Sequence, residues 1–577
     1  MDRLPAMTNI LLLTGLLSVV LLVLYRRALP KPIPGIPYNV EATKTILGDI
    51  PALTRHLSGT KEVFPWMRFQ NIKLNSPIIQ LFIKPLSKPC VIITDYKETQ
   101  DILTRRTKEF DRSPLFSDIF HGVMPNHHIT MRSTDERFPA NKKLIQGTMS
   151  PQFVNDVLAP QVYSATETLL EFWKVKSELA QGRPFDSRDD ILETLLDTIS
   201  VSTFGLSRSD GAISAQLAFL RDATGLRETI PTATTTPVEF SRAQRPPIID
   251  AFITLTQSMV VCAESPIPRL HHWFLRQFPS MRRSKALKET MISQQLAWGL
   301  KRLSGKGAEQ ISTCVLDDIV RREIKMAEKE KRAPDCQSRA IFDELYGFVT
   351  GGVDTTGSTL MWAIKYLSEN QDAQSRLRES LRDAFSTAAE QARKPTVQEI
   401  TKTRIPYLEA TMEEIFRMAV TIPSHVRTAT EDAVVLGHVI PKGTDVFLSI
   451  NGPGFTSPGF EIDEKKRSES CSSIRDDDRK QWELNDMNLF RPERWLVTDQ
   501  NGNESVDHAA APQMLFSLGP RSCFGKRLGQ LNMRVLLVLL TWHFQFQPLP
   551  EELISDDGIE KFTRQPRLTF VRLAEAS

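Results

Sequence analysis

Apolar residues recur at helical spacing over most of this chain, and short β-prone stretches interrupt the pattern. Residues 150–330 and 341–367 carry the helical pattern, with breaks at glycine and proline positions. The stretches 78–83 and 90–94 predict a hairpin, and β-prone residues return at 434–440. We therefore predict a mostly α-helical fold with small antiparallel β-sheets.

The N-terminal end is the most apolar part of the chain. Residues 4–25 contain no charged side chain, which is enough to span a bilayer as a helix, and Arg26 and Arg27 follow at once. Because positive flanks stay cytosolic, residues 1–29 predict a single-pass anchor in the endoplasmic reticulum membrane, with a transmembrane helix over about residues 7–25 and a cytosolic body. A cleaved secretory signal is the alternative, which the position of the arginines disfavours.

The rest of the chain divides by composition. The proline-rich residues 30–40 predict a stiff hinge before a globular domain over 41–577, and the charged residues 461–479 predict a solvated surface insertion. A net charge of +3 gives no indication of nucleic-acid binding. The six cysteines include no Cys-x-x-Cys pair, which argues against a disulfide framework, a zinc site and covalent haem attachment.

One cysteine, Cys523, stands between a Gly-Pro-Arg turn and a glycine, directly before an apolar-striped helix. Backbone N–H groups and the helix dipole favour an anion at a helix N-terminus, so this cysteine can persist as a thiolate. A lone thiolate suits one axial bond to haem iron. A buried structural cysteine after a turn is the alternative interpretation.

The predicted helix over 341–367 contains Gly351 and Gly352 next to Asp354 and Thr355. Two glycines in a helix interior cost about 1 kcal/mol each relative to alanine, a cost that is better tolerated where another group passes close to the backbone. The threonine can divert a helical hydrogen bond and open the turn. A glycine-kinked helix without chemistry is the alternative.

The motif Phe-x-x-Gly-x-Arg-x-Cys-x-Gly resembles the haem-binding signature of the cytochrome P450 family. Its matching residues here are Phe516, Gly519, Arg521, Cys523 and Gly525. The resemblance implies the cytochrome P450 fold, a haem b cofactor and Cys523 as its axial iron ligand. It also implies a role for Asp354 in proton delivery and for Thr355 in holding dioxygen and its water.

Two further motifs stand in the family's order. Glu414-x-x-Arg417 and the Pro-Glu-Arg-Trp segment with Arg494 resemble the residues that form a buried structural charge cluster behind the haem. The resemblance also implies haem-propionate binding by Arg521 and Arg427. Lys142 stands where the family often has an arginine, and it offers only a point charge without a bidentate fork.

Together these features resemble a fungal microsomal cytochrome P450 monooxygenase. The resemblance implies dioxygen, electrons from NADPH through a partner reductase, an apolar organic substrate and a place in secondary metabolism. A haem-thiolate isomerase or dehydratase that acts on a peroxide without external electrons is the alternative, and a non-catalytic haem protein is a third interpretation. The neighbouring His127 and His128 are expected to be exposed loop residues rather than ligands.

Overall fold

The structure, a computed structural model, describes residues 4–222, 236–265, 267–304, 312–474 and 486–576, with side chains from residue 12 onward. Contacts between Cα atoms divide the chain into two units. The first comprises the residues up to Asp111 together with a second segment that begins at Ser424 and ends at Arg475, and the second comprises the remainder.

The first unit is built around a β-sheet. Its strands run in the order Ile78–Leu81, Cys90–Ile93, Asp445–Ser449, Ser424–Ala429 and Phe110–Arg112, and a hairpin pairs Ala433–Val435 with His438–Ile440. Its helices are Leu4–Ala28, Ile50–Thr60, Val63–Lys73, Tyr96–Thr104 and Glu469–Ser472. The hairpin predicted from residues 78–83 and 90–94 is confirmed, and the β-prone residues 434–440 lie in a second hairpin, whereas the pairing of Cys90–Ile93 with Asp445–Ser449 is parallel. Parallel pairing joins strands that are distant in sequence, which local periodicity cannot reveal.

The proline-rich segment 30–40 is attached to this sheet. Gln80, which is fully buried, accepts the N–H of Ile33 at 2.7 Å and donates its amide to the carbonyls of Ile33 and Ile36 at 2.9 and 2.8 Å. The Gln80 N–H also donates to the Pro37 carbonyl at 3.0 Å. The sequence analysis predicted a hinge here, and the structure shows a segment held by one buried amide side chain.

The apolar N-terminal residues form the helix Leu4–Ala28, whose side chains from Leu12 to Tyr25 are exposed. Among the residues that the structure describes, no helix has both the length and the apolar character needed to cross a membrane. The predicted helix is therefore present, and the predicted membrane crossing is not supported.

The charged insertion is described up to residue 474, and residues 475–479 lie outside the described residues. Its described part packs on helix Tyr96–Thr104: the Arg467 guanidinium, 4% exposed, pairs with Asp95 at 2.6 Å and Glu98 at 3.3 Å. Cys471 is also buried. This part of the insertion therefore contributes buried contacts as well as a solvated surface.

The second unit is predominantly helical. One continuous apolar core contains side chains from Ile119 to Leu573, so the long helices pack around a shared interior. Its helices are Pro114–Phe120, Arg137–Ile145, Pro151–Phe153, Ala159–Ala180, Arg188–Phe204, Ala212–Asp222, Pro247–Ala263, Pro268–Leu275, Pro279–Leu303, Val315–Glu330, Arg339–Gly352, Asp354–Glu369, Gln371–Ala384, Ser386–Glu390, Val397–Lys402, Pro406–Ala419 and Lys526–His543.

Short antiparallel strand pairs complete the second unit. They join Phe185–Asp186 to Phe570–Val571, Leu496–Thr498 to Glu504–Val506, Phe544–Phe546 to Leu573–Glu575 and Gly558–Glu560 to Arg564–Pro566. The predicted class, mostly α-helical with small antiparallel sheets, is confirmed.

Candidate active site

The segment 516–525, which we call the cysteine loop, brings Cys523 to the start of helix Lys526–His543. The Cys523 N–H donates to the Phe516 carbonyl at 2.7 Å, which closes the loop. The loop turns through Gly519, whose φ of 68° lies in the left-handed region that glycine adopts at least cost. Gly525 is the N-cap of the following helix. The predicted position of Cys523 just before a helix N-terminus is confirmed.

Cys523 differs from the other five cysteines because it is exposed, whereas they are buried. Surrounding protein atoms exclude enough water to raise the pKa of its thiol, and the Gly525 N–H and the charge of Lys526 lower it. The net shift of this pKa is upward, and the thiolate expected at Cys523 stays a prediction. A coordinated metal ion deprotonates a thiol outright, which makes an accessible Cys523 suitable as a ligand.

The helix predicted over 341–367 is two helices, Arg339–Gly352 and Asp354–Glu369, separated at Val353. The Thr355 hydroxyl donates to the Gly351 carbonyl at 2.6 Å, which replaces part of the lost backbone bonding. The adjacent glycines and this diverted hydrogen bond together account for the break. Pattern alone predicted a continuous helix because the apolar period continues through it.

Asp354 is the first residue of the second helix. Burial raises the pKa of its carboxyl group to about 6, and the charge of Lys561 opposes this shift only in part. A carboxyl group with a pKa close to the working pH can both donate and accept a proton, which is the property expected of a general acid–base group.

Open space lies beside the break and beside the cysteine loop, as a bound haem requires. A Cβ atom added to Gly351 or to Gly525 would meet no heavy atom within 4 Å outside its immediate neighbours. Gly351 is exposed although it lies in a helix with eight buried residues. The rings of Phe348 and Phe524 lie 6.3 Å apart, so the helix and the cysteine loop approach each other here. The residues present therefore fit a flat aromatic cofactor held by Cys523.

Two predicted propionate ligands converge on Phe138. The Arg521 guanidinium lies over its ring at 3.7 Å and the Lys142 ammonium at 5.4 Å. Burial lowers the pKa of Lys142, and the charge of Arg521 lowers it further. Lys142 also donates to the Pro520 carbonyl at 3.3 Å. Because two cations lie so near each other, this position favours an anion.

The third predicted propionate ligand, Arg427, lies in the first unit. It is a buried residue of the strand Ser424–Ala429, and its Nη1 donates to the Val426 carbonyl at 3.0 Å. Its assignment to a propionate stays a prediction.

The three residues of the predicted charge cluster are brought together. The Glu414 carboxylate is fully buried and receives Arg417 Nε and Nη2 at 2.8 and 2.7 Å and Arg494 Nε at 3.0 Å. Sequence analysis missed two further donors, the Trp495 indole N–H and the Arg491 backbone N–H, each at 2.9 Å. Trp495 is the last residue of the Pro-Glu-Arg-Trp segment, and its position in that motif could have indicated that it belongs to the cluster.

The adjacent histidines differ from the expectation. His127 is buried, and the His128 side chain is 16% exposed. Both face Glu344 of helix Arg339–Gly352, with His128 Nδ1 at 2.7 Å from its carboxylate. A loop position made them look exposed, because sequence pattern does not show which helix covers a loop.

Comparisons with known proteins agree with this geometry. The sequence profile of the cytochrome P450 family matches residues 66–454 and 458–572. The chain therefore belongs to the cytochrome P450 family, as the resemblance of its motifs predicted, and it is a haem-thiolate monooxygenase.

The proteins similar to this chain include fungal cytochrome P450 monooxygenases that align over nearly their whole length. It is 38% identical over 565 residues to cytochrome P450 monooxygenase GME11363 of Pestalotiopsis microspora, covering 97% of each chain. It is 36% identical to cytochrome P450 monooxygenase TRI13 of Fusarium sporotrichioides, covering 97% of this chain and 98% of that protein. The crystal structure of the cytochrome P450DA heme domain shares the fold, with a TM-score of 0.66 and 15% identity over 95% of this chain and 99% of the other.

Proposed function

We propose that this protein binds haem b through Cys523 and oxidises an apolar organic substrate of fungal secondary metabolism, with electrons that NADPH supplies through a partner reductase. The observation that carries the proposal is the exposed Cys523 in a loop that closes onto helix Arg339–Gly352 beside open space. The similarity to fungal cytochrome P450 monooxygenases supports the reaction class. Bound haem supplies the activation of dioxygen.

Different side chains of the protein would bind different parts of the haem and the substrate. Cys523 would hold the haem iron, and Arg521 and Lys142, the two cations beside the Phe138 ring, would bind its anionic propionates. The rings of Phe348 and Phe524 supply apolar surface where the helix and the cysteine loop approach each other, which suits an apolar substrate.

Asp354 and Thr355 are the residues that would deliver protons at this site. A carboxyl group with a pKa of about 6 is partly protonated near neutral pH, so Asp354 can pass a proton and recover it from solvent. The Thr355 hydroxyl already donates to the Gly351 carbonyl at 2.6 Å, beside the open space. By rotating away from that carbonyl, it can hold a water molecule or the oxygen to be protonated.

Membrane association through the helix Leu4–Ala28 is part of this proposal, because its apolar side chains from Leu12 to Tyr25 are exposed. Water-exposed apolar stretches of this size mark interaction surfaces.

The central test is Cys523→Ser. The ferrous carbonyl spectrum of the wild type should show a thiolate-type Soret band, and the variant should lack it. A second measurement compares product formation with reductase and NADPH to product formation from a hydroperoxide alone. Turnover that needs only the hydroperoxide would favour the isomerase or dehydratase chemistry, and a surviving thiolate-type band in the variant would refute the assignment of Cys523.

A further inference from the structure

Two adjacent carboxylates of helix Arg339–Gly352 bind the loop that precedes helix Arg137–Ile145. Asp343 and Glu344 are both fully buried. The Asp343 carboxylate accepts the backbone N–H and the side-chain amide of Asn126 at 2.8 and 3.1 Å. The Glu344 carboxylate accepts the backbone N–H of His128 at 2.7 Å and lies 2.7 Å from its Nδ1. The chain from Asn126 to His128 is therefore tied to this helix by charge-assisted hydrogen bonds.

The helix is shaped to receive this loop. A Cβ atom added to Gly347 would lie 2.1 Å from His127 Nε2, so the imidazole ring rests on the helix backbone where only glycine leaves room. His127 Nδ1 accepts the N–H of Ile129 at 3.1 Å, which assigns the ring proton to Nε2. That nitrogen faces Glu344 at 3.4 Å. Burial lowers the pKa of His127 to about 3, so the ring is neutral.

The cluster is a hydrogen-bonded contact between the loop and the helix, in which His127 presents its Nε2 to Glu344. Asn141 adds to it by donating its amide to Glu344 at 2.8 Å, so helix Arg137–Ile145 is held at the same point.

The other end of the same loop binds the cysteine loop. Arg521 Nη2 donates to the Met131 carbonyl at 2.7 Å and its Nε to the Ser133 hydroxyl at 2.8 Å. A weaker contact of 3.4 Å joins Nη1 to the His128 carbonyl. His128 therefore gives its N–H to Glu344 and its carbonyl oxygen to Arg521, two residues before Cys523.

We propose that Glu344 is a positioning residue for the cysteine loop. It acts through residues 126–133, which we call the strap, and the strap orients Arg521 and with it the loop that carries Cys523. This inference rests on the proposed function of Cys523. A planar guanidinium held by three acceptors has a defined orientation. One of these acceptors is the His128 carbonyl, and His128 is the strap residue whose N–H and ring nitrogen face Glu344, whereas Asp343 holds the strap only at its first residue, Asn126.

Hydrogen–deuterium exchange of the haem-loaded protein tests the connection. In Glu344→Gln the amide presents N–H groups to donors, so the strap loosens. We expect exchange to rise about tenfold in peptides covering 126–133 and 516–525, since a lost hydrogen bond to a charged group costs a factor of this order. Asp343→Asn is the matched control, because it changes an equally buried neighbouring carboxyl group whose hydrogen bonds, within the described residues, go to Asn126 at the start of the strap and not to His128. It should raise exchange around residue 126 and leave the cysteine loop unchanged.

A spectroscopic readout follows the thiolate itself. In dilute urea the ferrous carbonyl complex of Glu344→Gln should lose its thiolate-type band at a lower concentration than Asp343→Asn or wild type. Gly347→Ala provides a second variant that changes no charge: its Cβ displaces the His127 ring and should have the same spectral effect as Glu344→Gln. It keeps the test available if Glu344→Gln does not fold.

The outcomes separate the two hypotheses. Equal responses of Glu344→Gln and Asp343→Asn in the cysteine loop would overturn the positioning role, because burial of charge alone would then explain both. A cysteine loop that stays protected in Glu344→Gln and Gly347→Ala would overturn it as well. Absence of a thiolate-type band from the wild type would instead refute the proposed function of Cys523.

Discussion

Removing the negative charge of Glu414 should unfold or nearly unfold this protein. Its carboxylate is fully buried on helix Pro406–Ala419 and faces two guanidinium groups, Arg417 and Arg494, whose side chains are 1% and 7% exposed. In Glu414→Gln the side-chain shape is retained, but an N–H₂ group replaces one oxygen. In place of Oε1 that group would face Arg417 Nη2 and Arg494 Nε, and in place of Oε2 it would face Arg417 Nε and the Trp495 indole N–H.

The size of the effect follows from the burial. Removing one partner of a buried ion pair lowers the free energy of unfolding by about 3–5 kcal/mol, because the remaining charge is left uncompensated. Here one carboxylate serves both arginines, and Arg494 is also paired with Asp486 at 2.9 Å. The expected loss is therefore at the upper end of that range. Whole proteins are stable by only about 5–15 kcal/mol, so a third or more of the total is at stake.

A matched substitution isolates burial as the cause. Glu504→Gln changes the same residue type in the same unit and removes an ion pair to Arg376 at 2.9 Å, but both side chains are about 40% exposed. Exposed pairs contribute between about 0 and 1 kcal/mol. The assay is the urea midpoint of the haem-loaded proteins, followed by circular dichroism, together with the yield of haem per protein. Glu414→Gln should lower both values strongly, and Glu504→Gln should lower neither by a comparable amount.

A Glu414→Gln variant with a midpoint equal to that of Glu504→Gln would refute the reasoning, because the cluster would then contribute no more than a surface pair. Raising the salt concentration gives a second check. Buried pairs are poorly screened, so the difference between the two variants should persist at high ionic strength.

Three further outcomes are expected. In Thr355→Ala the haem should bind and be reduced normally, but the rate of product formation should fall about 10²–10⁴-fold, while NADPH is still consumed and peroxide accumulates. An unchanged ratio of product to NADPH would contradict the role of the hydroxyl. Asp354→Asn should unfold at a higher temperature than wild type at pH 7.5. Because the folded-state pKa is raised from 3.8 to about 6, wild type loses stability as pH rises through that window, so the difference should vanish below about pH 4. Removal of residues 1–29 should leave haem binding intact, since the Gln80 contacts of segment 30–40 remain, and should weaken membrane association in high-salt fractionation.

Sequence alone predicted features whose cause is local. The hairpin of Ile78–Leu81 with Cys90–Ile93 follows from β-prone residues on either side of prolines. Cys523 could be placed just before a helix because glycine, proline and an apolar stripe surround it in sequence. In each case the residues that determine the geometry are close neighbours along the chain.

The break at Val353 also has a local cause, because the adjacent glycines and the Thr355 hydroxyl, which the sequence indicated could open the turn, lie next to it. Features that depend on distant partners were missed. The described part of the charged insertion contains a buried arginine, because Arg467 meets acidic groups some 370 positions earlier in the chain. Periodicity reports the environment of one element and carries no information on which other element covers it.

The spacing along helix Arg339–Gly352 nevertheless contains a signal for the site. Glu344, Gly347 and Gly351 stand three and four residues apart, so they share one face of the helix. An acid and two glycines on one stripe of an otherwise apolar helix contradict a purely packing role. Glu344 and Gly347 receive the strap, and Gly351 leaves open space and accepts the hydroxyl of Thr355, four residues further along. One face of this helix therefore contacts the strap through Glu344 and Gly347 and the Thr355 hydroxyl through the Gly351 carbonyl, so the roles proposed above for Glu344 and Thr355 meet on a single helix face.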